Sequence, residues 1–442
     1  FLVIYVDDFK LAGPKNNLKL GWELLRKGLS IEPECEPGVY LGCAQERKEV
    51  TMKDGRRMTT MTYNMEDFLG SCVSRYLELA GPSTRLKAVN TPFIPEETKG
   101  SDAGKPNSAN GVMILCKHCR TAQAVKEVSC SWCKKAFTPE RVPDEPTSRS
   151  KKKKVSAEAS GGNPAGQSKG TKGELADIAA RVLMKLLYAA RLARFDLMRA
   201  VCHLACFVTK WDPECDKRLH RLMCYVNSSK HLRMVGWIGD DRPALQPHMF
   251  ADSDFAGCIE TLRSTSGVHL ALRGPNSCFP ITGMSKRQGC VSHSTPEAEL
   301  VACDFGMRMC GLPCLDLWET LLARKCPLVV HEDNQSMLRI IETGRNPTMR
   351  YLGRTHRVSV RWLHETFKRE KVRCVYARTD TMAGDIYTKA FTDADKWRQA
   401  QELINVVDPA RLKRAMEEHP AKNAELEKPV TFSDIEEENN DE

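Results

Sequence analysis

Four carboxylates in the second half of the sequence stand where a β-strand would end or a helix would begin. Asp252 follows the apolar run PHMFA, and Asp333 ends the strand-like run PLVVHED. Glu299 lies in the first turns of the helix that TPEAELVA predicts, with Thr295 as its N-cap and Pro296 at its first position. Asp385 lies on a short helix after the strand-like run VRCVY. In a sheet-based domain, such ends converge on one crevice.

A cluster of carboxylates repels itself unless cations neutralise it. Hard oxygen ligands with open water positions favour Mg²⁺, and two such ions about 3.5–4 Å apart hold the water and the leaving oxygen of a phosphodiester. Two positions have rivals, Asp254 for Asp252 and Glu297 for Glu299. We prefer Asp252 because it follows the apolar strand directly. A single acidic residue is more often a solvated surface charge. The prediction of a cation site therefore rests on the ordered set and not on any one acid.

The sequence opens on another acidic pair, in FLVIYVDDFKLAG. A strand, a turn with Asp7 and Asp8 and a second strand predict a hairpin that exposes both carboxylates at its tip. Polymerases use such carboxylates to bind two metal ions at the primer 3′-hydroxyl and the triphosphate. Taken alone, YVDD is four common residues that recur by chance in surface turns. Because the chain begins at Phe1, inside a strand-like run, we expect a piece of a longer protein.

Four cysteines form a compact pattern in MILCKHCRTAQAVKEVSCSWCKKAF. Cys116 and Cys119 make one Cys-x2-Cys pair, and Cys130 and Cys133 make a second pair ten residues on. Two such pairs bind Zn²⁺ tetrahedrally through thiolates, with His118 as a less favoured substitute ligand. The alternative is four free thiols in a poorly structured insert. We expect a zinc site whose role is nucleic-acid contact or purely structural.

Composition narrows the class of protein. At 442 residues the chain has room for two or three domains, and its net charge of +9 fits a nucleic-acid partner as well as a plain solvated surface. An odd count of 19 cysteines in an ordinary globular composition favours a reducing, intracellular setting. No apolar run approaches the roughly 20 residues that cross a bilayer, so we expect no membrane partner.

The chain reads as an α/β multidomain protein. Residues 1–95 are mixed α/β, and residues 138–173 are Pro, Gly, Ser and Lys with almost no large apolar residue, which predicts a disordered linker. Helical spacing dominates residues 174–236. The predicted segments are a mixed α/β segment (1–95), the cysteine insert (112–137), the linker (138–173), a helical segment (174–242), an α/β domain (243–392) and a helical, then acidic and disordered tail (393–442), with the tail helical to about Glu418.

Five segments of the α/β domain occur in a recognisable order: DSDFAGC, RSTSGVHLAL, SKRQGCVSHSTPEAELVA, EDNQSMLRI and GDIYTKAF. They resemble the ribonuclease H domain of copia-type LTR-retrotransposon polyproteins. The resemblance implies an RNase H fold, with a mixed five-stranded sheet flanked by helices. It also implies that two Mg²⁺ ions are bound by Asp252, Glu299, Asp333 and Asp385. Glu299 is preferred to Glu297 because the family's Glu directly precedes an apolar turn.

One segment departs from the family. GRTHRVSVRWLHETF resembles a segment with a Lys-His-Ile-Asp core, which here reads His356-Arg357-Val358-Ser359. An acidic position has therefore become Ser359. We interpret this segment as substrate-side or structural, so the change removes no metal ligand.

The family also gives the acidic pair a setting. Its reverse transcriptase lies upstream of RNase H, and a Tyr-x-Asp-Asp hairpin carries two of the three metal-binding acids, which Tyr5-Val6-Asp7-Asp8 matches. The resemblance implies that residues 1–95 are the end of a palm and thumb, and residues 174–242 a helical connection. The third acid and the fingers would precede Phe1. We therefore expect polymerase activity only together with upstream polyprotein segments.

The resulting functional hypothesis is a Mg²⁺-dependent ribonuclease H that cleaves the RNA strand of RNA–DNA hybrids. Its partners would be the hybrid and a primer–template duplex, in a cytoplasmic particle or the nucleus. The alternative is a non-catalytic nucleic-acid-binding remnant that uses the zinc insert and basic loops. Lys and Arg contacts to phosphate hold a duplex without reading its sequence. The residues expected to make them are Arg263, Lys286, Arg287, Arg354 and Arg357.

Overall fold

The computed structural model describes residues 1–94, 113–115, 122–124, 172–258, 260–370 and 372–426. The chain divides into two compact units. The larger comprises residues 1–94 and 170–442, and the smaller comprises residues 95–169.

The larger unit begins with two hairpins. Strands β1 (Leu2–Tyr5) and β2 (Asp8–Leu11) pair antiparallel, as the opening sequence predicts. The second hairpin is formed by β3 (Val39–Tyr40) and β4 (Cys43–Thr51) and turns at Leu41 and Gly42. Both turn residues have positive φ, the geometry of a tight two-residue hairpin turn. The remaining elements are α1 (Lys15–Arg26), β5 (Arg57–Asn64) and α2 (Glu66–Ala80).

In the smaller unit, the described residues form one antiparallel hairpin of β6 (Met113–Leu115) and β7 (Ala122–Ala124). The four cysteines predicted to bind Zn²⁺ lie outside the described residues, and so does nearly all of the predicted linker.

A helical segment follows, with α3 (Ala176–Leu192), α4 (Met198–Ala205) and α5 (Pro213–Ser229). Asp212 caps α5 by accepting a hydrogen bond from the Cys215 N–H, and Pro213 is its first residue. The prediction of helix to residue 236 is wrong at its end, because β8 (Arg233–Ile238) is a strand. A short apolar run such as MVGW does not distinguish helix from strand by its spacing, and pairing with β5 decides the outcome here.

The rest of the unit alternates strands and helices, as predicted. A long hairpin comes first, and the final helix continues past Pro420 to Leu426, eight residues beyond the predicted end at Glu418. The elements are β9 (Gln246–Asp254), β10 (Thr265–Gly274), β11 (Ser277–Arg287), α6 (Thr295–Gly306), α7 (Leu312–Leu322), β12 (Val329–Glu332), α8 (Gln335–Thr343), α9 (Leu352–Thr355), α10 (Val360–Arg369), β13 (Arg373–Tyr376), α11 (Ala394–Leu403), β14 (Val406–Val407) and α12 (Leu412–Leu426).

One mixed sheet joins these elements in the order β13-β12-β9-β10-β11-β8-β5-β4-β3, with β14 paired to β8. Strand β12 is parallel to β9 and β13, and the other pairs are antiparallel. Five strands, β13 to β11, match the number that the resemblance implies. The sheet is larger, because β8 continues it into β5, β4 and β3. It therefore runs across the predicted segment boundaries at residues 95 and 242.

The two faces of the sheet carry different cores. Met249, Ala251 and Val330 pack on the face that α6, α8 and α10 cover. Phe250 lies on the opposite face, in a core shared with α3, α4 and α5. Because side chains alternate along a strand, Asp252 shares the face of Phe250, and Glu332 shares the face of Val330. Acids therefore approach the sheet end from both faces.

The described helices fall short of the length and hydropathy that a membrane crossing requires. Among the described residues, none of the helices meets both conditions.

Candidate active site

Five carboxylates converge at one end of the sheet. Asp252, Asp333 and Asp385 each offer one oxygen, and these oxygens lie within 4.8 Å of one another. Glu299, Glu332 and Asp333 form a second such group. The structure thus brings the four predicted RNase H acids together, with Asp333 shared by both groups. Glu332 is an addition that the sequence interpretation missed.

Parallel pairing of two strands brings the first pair of acids together. His331 of β12 pairs with Phe250 of β9, and two residues further on the strands reach Asp333 and Asp252. Asp385 comes to them on a short 3-10 turn, Asp385–Tyr387. The residue before that turn is Gly384, where a Cβ would lie 2.8 Å from the Asp252 Cβ. A glycine therefore lets this turn approach the strand closely.

Glu299 approaches from the helix side. Helix α6 begins at Thr295 after an N-cap at Ser294, whose backbone is extended. The prediction of Thr295 as N-cap and Pro296 as first helical residue is thus wrong by one residue. Glu299 still lies in the second turn, and 2% of it is exposed.

The two rival acids have other partners. Asp254 accepts hydrogen bonds from Arg199 at 3.3 Å and from the Thr265 N–H. Glu297 accepts hydrogen bonds from the His293 N–H and the Tyr351 hydroxyl, both at 2.9 Å, and lies 3.3 Å from His356 Nε2. Neither belongs to the two acid groups. The structure thus brings Asp252 and Glu299, rather than Asp254 and Glu297, into the two acid groups.

Burial and mutual repulsion raise the pKa values of carboxyl groups in the cluster. The pKa of Asp385 is raised to about 8, first by burial and then by the nearby charge of Asp252. Burial, followed by the repulsion of neighbouring acids, also raises the pKa values of Glu299 and Glu332 well above their ordinary range. The pKa of the half-buried Asp333 is raised for the same reasons. A buried group of like charges favours bound cations or bound protons.

One cationic side chain enters the cluster. Lys389 Nζ lies 2.6 Å from Asp385 Oδ2 and 3.9 Å from Asp252 Oδ1. Burial lowers the pKa of Lys389, but the charges of Asp252 and Asp385 outweigh that effect, so its pKa is raised overall. Thr388 donates its hydroxyl to Asp252 Oδ2. The sequence interpretation did not single out Thr388 and Lys389. The TK pair shortly after Asp385 in GDIYTKAF could have indicated both residues.

The donor set fits a hard divalent cation. Within the acid cluster, three buried carboxylate oxygens have no hydrogen-bond partner in the described part of the chain, namely Glu299 Oε2, Glu332 Oε2 and Asp385 Oδ1. Buried polar atoms are rarely left unsatisfied in native proteins. Oxygen-only ligands in this number suit Mg²⁺ better than softer metals.

The predicted phosphate-contacting residues lie on two segments. Lys286 and Arg287 end β11 and pair with Ser266 and Thr265 of β10, and Thr265 pairs in turn with Asp254. These two residues therefore lie at the acid end of the sheet, and Arg263 precedes the same end of β10. Arg354 and Arg357 are exposed on the segment of His356.

The acidic pair of the opening hairpin is separate from this cluster. Asp7 and Asp8 are exposed at the hairpin. Among the described residues, the two acid groups do not include either of them.

The chain is similar in sequence to a retrotransposon polyprotein. Over 224 residues, the chain is 28% identical to the retrovirus-related Pol polyprotein from transposon TNT 1-94 of Nicotiana tabacum. The match covers 50% of this chain and 16% of the polyprotein, so the chain spans a small part of its relative's length. No protein-family model matches the chain, and no solved structure matches it. The similarity supports a retrotransposon polyprotein as the kind of protein to which this chain is related.

Proposed function

We propose that the chain is a Mg²⁺-dependent ribonuclease H from a retrotransposon polyprotein, which hydrolyses the RNA strand of RNA–DNA hybrids. The observation that carries the proposal is the convergence of Asp252, Glu299, Asp333 and Asp385 into two groups that share Asp333. The similarity to a Pol polyprotein makes a nucleic acid the expected substrate.

Two cation positions follow from the two groups. Asp252, Asp333 and Asp385 would hold one Mg²⁺, and Glu299 with Asp333 would hold the other. Bound there, Mg²⁺ supplies Lewis-acid stabilisation of the phosphate charge and lowers the pKa of an attacking water.

The chain's own residues orient this set. Thr388 fixes Asp252 by donating its hydroxyl to Oδ2, and Lys389 holds Asp385 at 2.6 Å. The Thr379 hydroxyl donates to Asp333 at 3.4 Å. Preorganised ligands cost little rearrangement during the reaction.

The basic residues at the acid end of the sheet suit a polyanionic duplex. Lys286 is exposed, and its ammonium lies 5.0 Å from the centre of the Phe305 ring. With Arg287, Arg354 and Arg357 it would contact phosphates without reading sequence. Recognition of a hybrid would come from groove shape and 2′-hydroxyl contacts.

We also propose roles for the opening hairpin and for the four cysteines. The hairpin with Asp7 and Asp8 would serve a polymerase together with upstream palm and fingers segments. The cysteines at 116, 119, 130 and 133 would bind Zn²⁺. A non-catalytic nucleic-acid-binding protein is the competing function, and the following experiment separates it from the enzyme.

The full chain is incubated with four labelled substrates: an RNA–DNA hybrid, duplex RNA, duplex DNA and single-stranded RNA. The proposal predicts cuts in the RNA strand of the hybrid alone, with Mg²⁺ present and EDTA absent. Binding of the hybrid without cleavage, in Mg²⁺ and in Mn²⁺, would instead support the binding protein.

A further inference from the structure

Glu332 is the most completely buried acid of the cluster. It is the last residue of β12, and none of its surface is exposed. One of its oxygens lies within 4.8 Å of ligand atoms of both Glu299 and Asp333. Its Oε2 atom has no hydrogen-bond partner in the described part of the chain.

Strand geometry aims this side chain at Glu299. His331, the preceding residue, points to the other face, where it stacks on Phe250 and lies 2.8 Å from the Nδ1 atom of His248. Glu332 therefore points to the face that α6 covers, and α6 carries Glu299. The Asn334 N–H donates to Glu332 Oε1 at 3.1 Å, which fixes the carboxylate, while Oε2 has no hydrogen-bond partner among the described residues.

Such an arrangement needs a compensating charge. A buried ionised carboxylate without a partner is strongly disfavoured. In the described part of the chain, the neighbouring Glu299 Oε2 atom also has no hydrogen-bond partner. Among the described residues, the ion pairs with this cluster come from Lys389, which reaches Asp385 and Asp252 rather than the glutamates. Five carboxylates face one ammonium group, and two divalent cations would balance the remaining negative charge.

We propose that Glu332 is a fifth cation-binding carboxylate, which binds one divalent cation together with Glu299 and Asp333. The inference rests on the proposed function in that it assigns this residue to the same two-cation site. It concerns binding of the ion and is measurable without catalysis. Its competitor is a proton shared between Glu299 and Glu332, with no role for Glu332 in cation binding.

The test is a Mn²⁺ titration of the chelator-stripped full chain, followed by calorimetry and by the electron paramagnetic resonance signal of free Mn²⁺. We expect two ions per wild-type chain. In Glu332→Gln, affinity for one of them falls by about tenfold or more, since even outer-shell changes cost 10–100-fold. Glu297→Gln is the matched control, because Glu297 is equally buried on α6 but is bonded to Tyr351 and His293. The Glu297→Gln variant is expected to bind both Mn²⁺ ions with wild-type affinity.

Thermal unfolding in EDTA shows whether the variant folds. Glu332→Gln removes a like charge beside Glu299, so without metal its melting temperature should equal or exceed that of the wild type. Adding Mn²⁺ should raise the melting temperature of the variant by less than that of the wild type. If the Gln variant unfolds, Glu332→Asp, which shortens the side chain, is expected to show the same weakened affinity for one ion.

Two Mn²⁺ ions bound to a folded Glu332 variant with wild-type affinity would overturn the inference in favour of the shared proton. A wild-type chain that binds no Mn²⁺ would overturn it as well. If the wild type binds two ions, Glu332→Gln weakens one, and the hybrid is never cut, the inference stands and the proposed nuclease function falls.

Discussion

Arg199 donates its Nε hydrogen to the carbonyl oxygen of Thr388 at 2.7 Å. The same guanidinium reaches Asp254 at 3.3 Å, and the residue is 8% exposed. Arg199 belongs to α4, in the segment that the sequence assigns to a helical connection. This segment thus contacts both the turn that carries Asp385 and the end of the strand that carries Asp252.

Replacing Arg199 with Gln is expected to impair positioning of the acids rather than substrate binding. Loss of two buried hydrogen bonds loosens the turn after Asp385, and small misplacements of reacting groups are costly. We expect kcat for hybrid cleavage to fall about tenfold or more, with KM changed less than about twofold. Steady-state kinetics measure both.

Arg181→Gln, at an exposed position of α3, is the control and should behave as wild type. Arg199→Lys, which keeps the charge, should recover part of kcat. A folded Arg199→Gln protein with unchanged kcat would contradict a positioning role.

A buried ion pair in the same helical segment should govern stability. Arg194 and Asp196 are 1% and 0% exposed and are joined by two hydrogen bonds of 2.8 Å. Asp196 also accepts hydrogen bonds from Tyr225 and Gln401. Removing one partner of a buried pair leaves an uncompensated charge, so Asp196→Ala should lower the free energy of unfolding by about 3–5 kcal/mol.

Denaturant unfolding measures this loss. The comparison is Glu365→Ala, which breaks the exposed pair with Arg361 on α10 and should cost less than about 1 kcal/mol. Similar losses in the two variants would show that the buried network is not a main source of stability.

The sequence could indicate the ends of elements better than their tertiary surroundings. Asp252, Asp333 and Asp385 come after apolar runs of the sequence, a pattern visible in the letters. Ser359, where the resembling family has Asp, accepts a hydrogen bond from the Trp362 N–H as the N-cap of α10. Ser and Asp are both good N-caps, so this departure keeps a structural role, as the sequence interpretation allowed.

Other features depend on packing between distant segments. The burial of Arg199 against Thr388 joins residues far apart in the chain, and no local spacing signals it. Glu332 was visible as an acid before Asp333, but its role depends on the face that β12 turns towards α6. The sequence predicts helix across β8 because its partners, β5, β11 and β14, are distant in sequence.

A buried histidine should make stability depend on pH. His419 lies on α12 with its Nε2 atom 3.2 Å from the Gly274 carbonyl oxygen. The pKa of His419 is lowered to about 4, mainly by burial and also by the charge of Arg273, while the Gly274 and Ser277 backbone and Asp240 act in the opposite direction. The unfolded chain takes up a proton near pH 6.5 and the folded chain does not, so stability is lost as pH falls from about 6.5 to about 4.

The measurement compares wild type with His419→Gln at pH 7.5 and pH 5 by denaturant unfolding, so that contributions from the acid cluster cancel. Wild type should lose about 2 kcal/mol more than the variant over this interval. Equal losses would show that His419 is not held neutral in the folded state.

Asp333 is the acid that we propose to serve both cation positions. The most direct test is cleavage of a labelled RNA–DNA hybrid in Mg²⁺ by the full chain and by two variants, Asp333→Asn and Asp316→Asn. Asp316 is exposed on α7 and outside the acid groups. We predict that wild type and Asp316→Asn cut the RNA strand, and that Asp333→Asn, folded to the same extent, loses at least about a thousandfold in rate. Cleavage by Asp333→Asn at the wild-type rate would contradict the account.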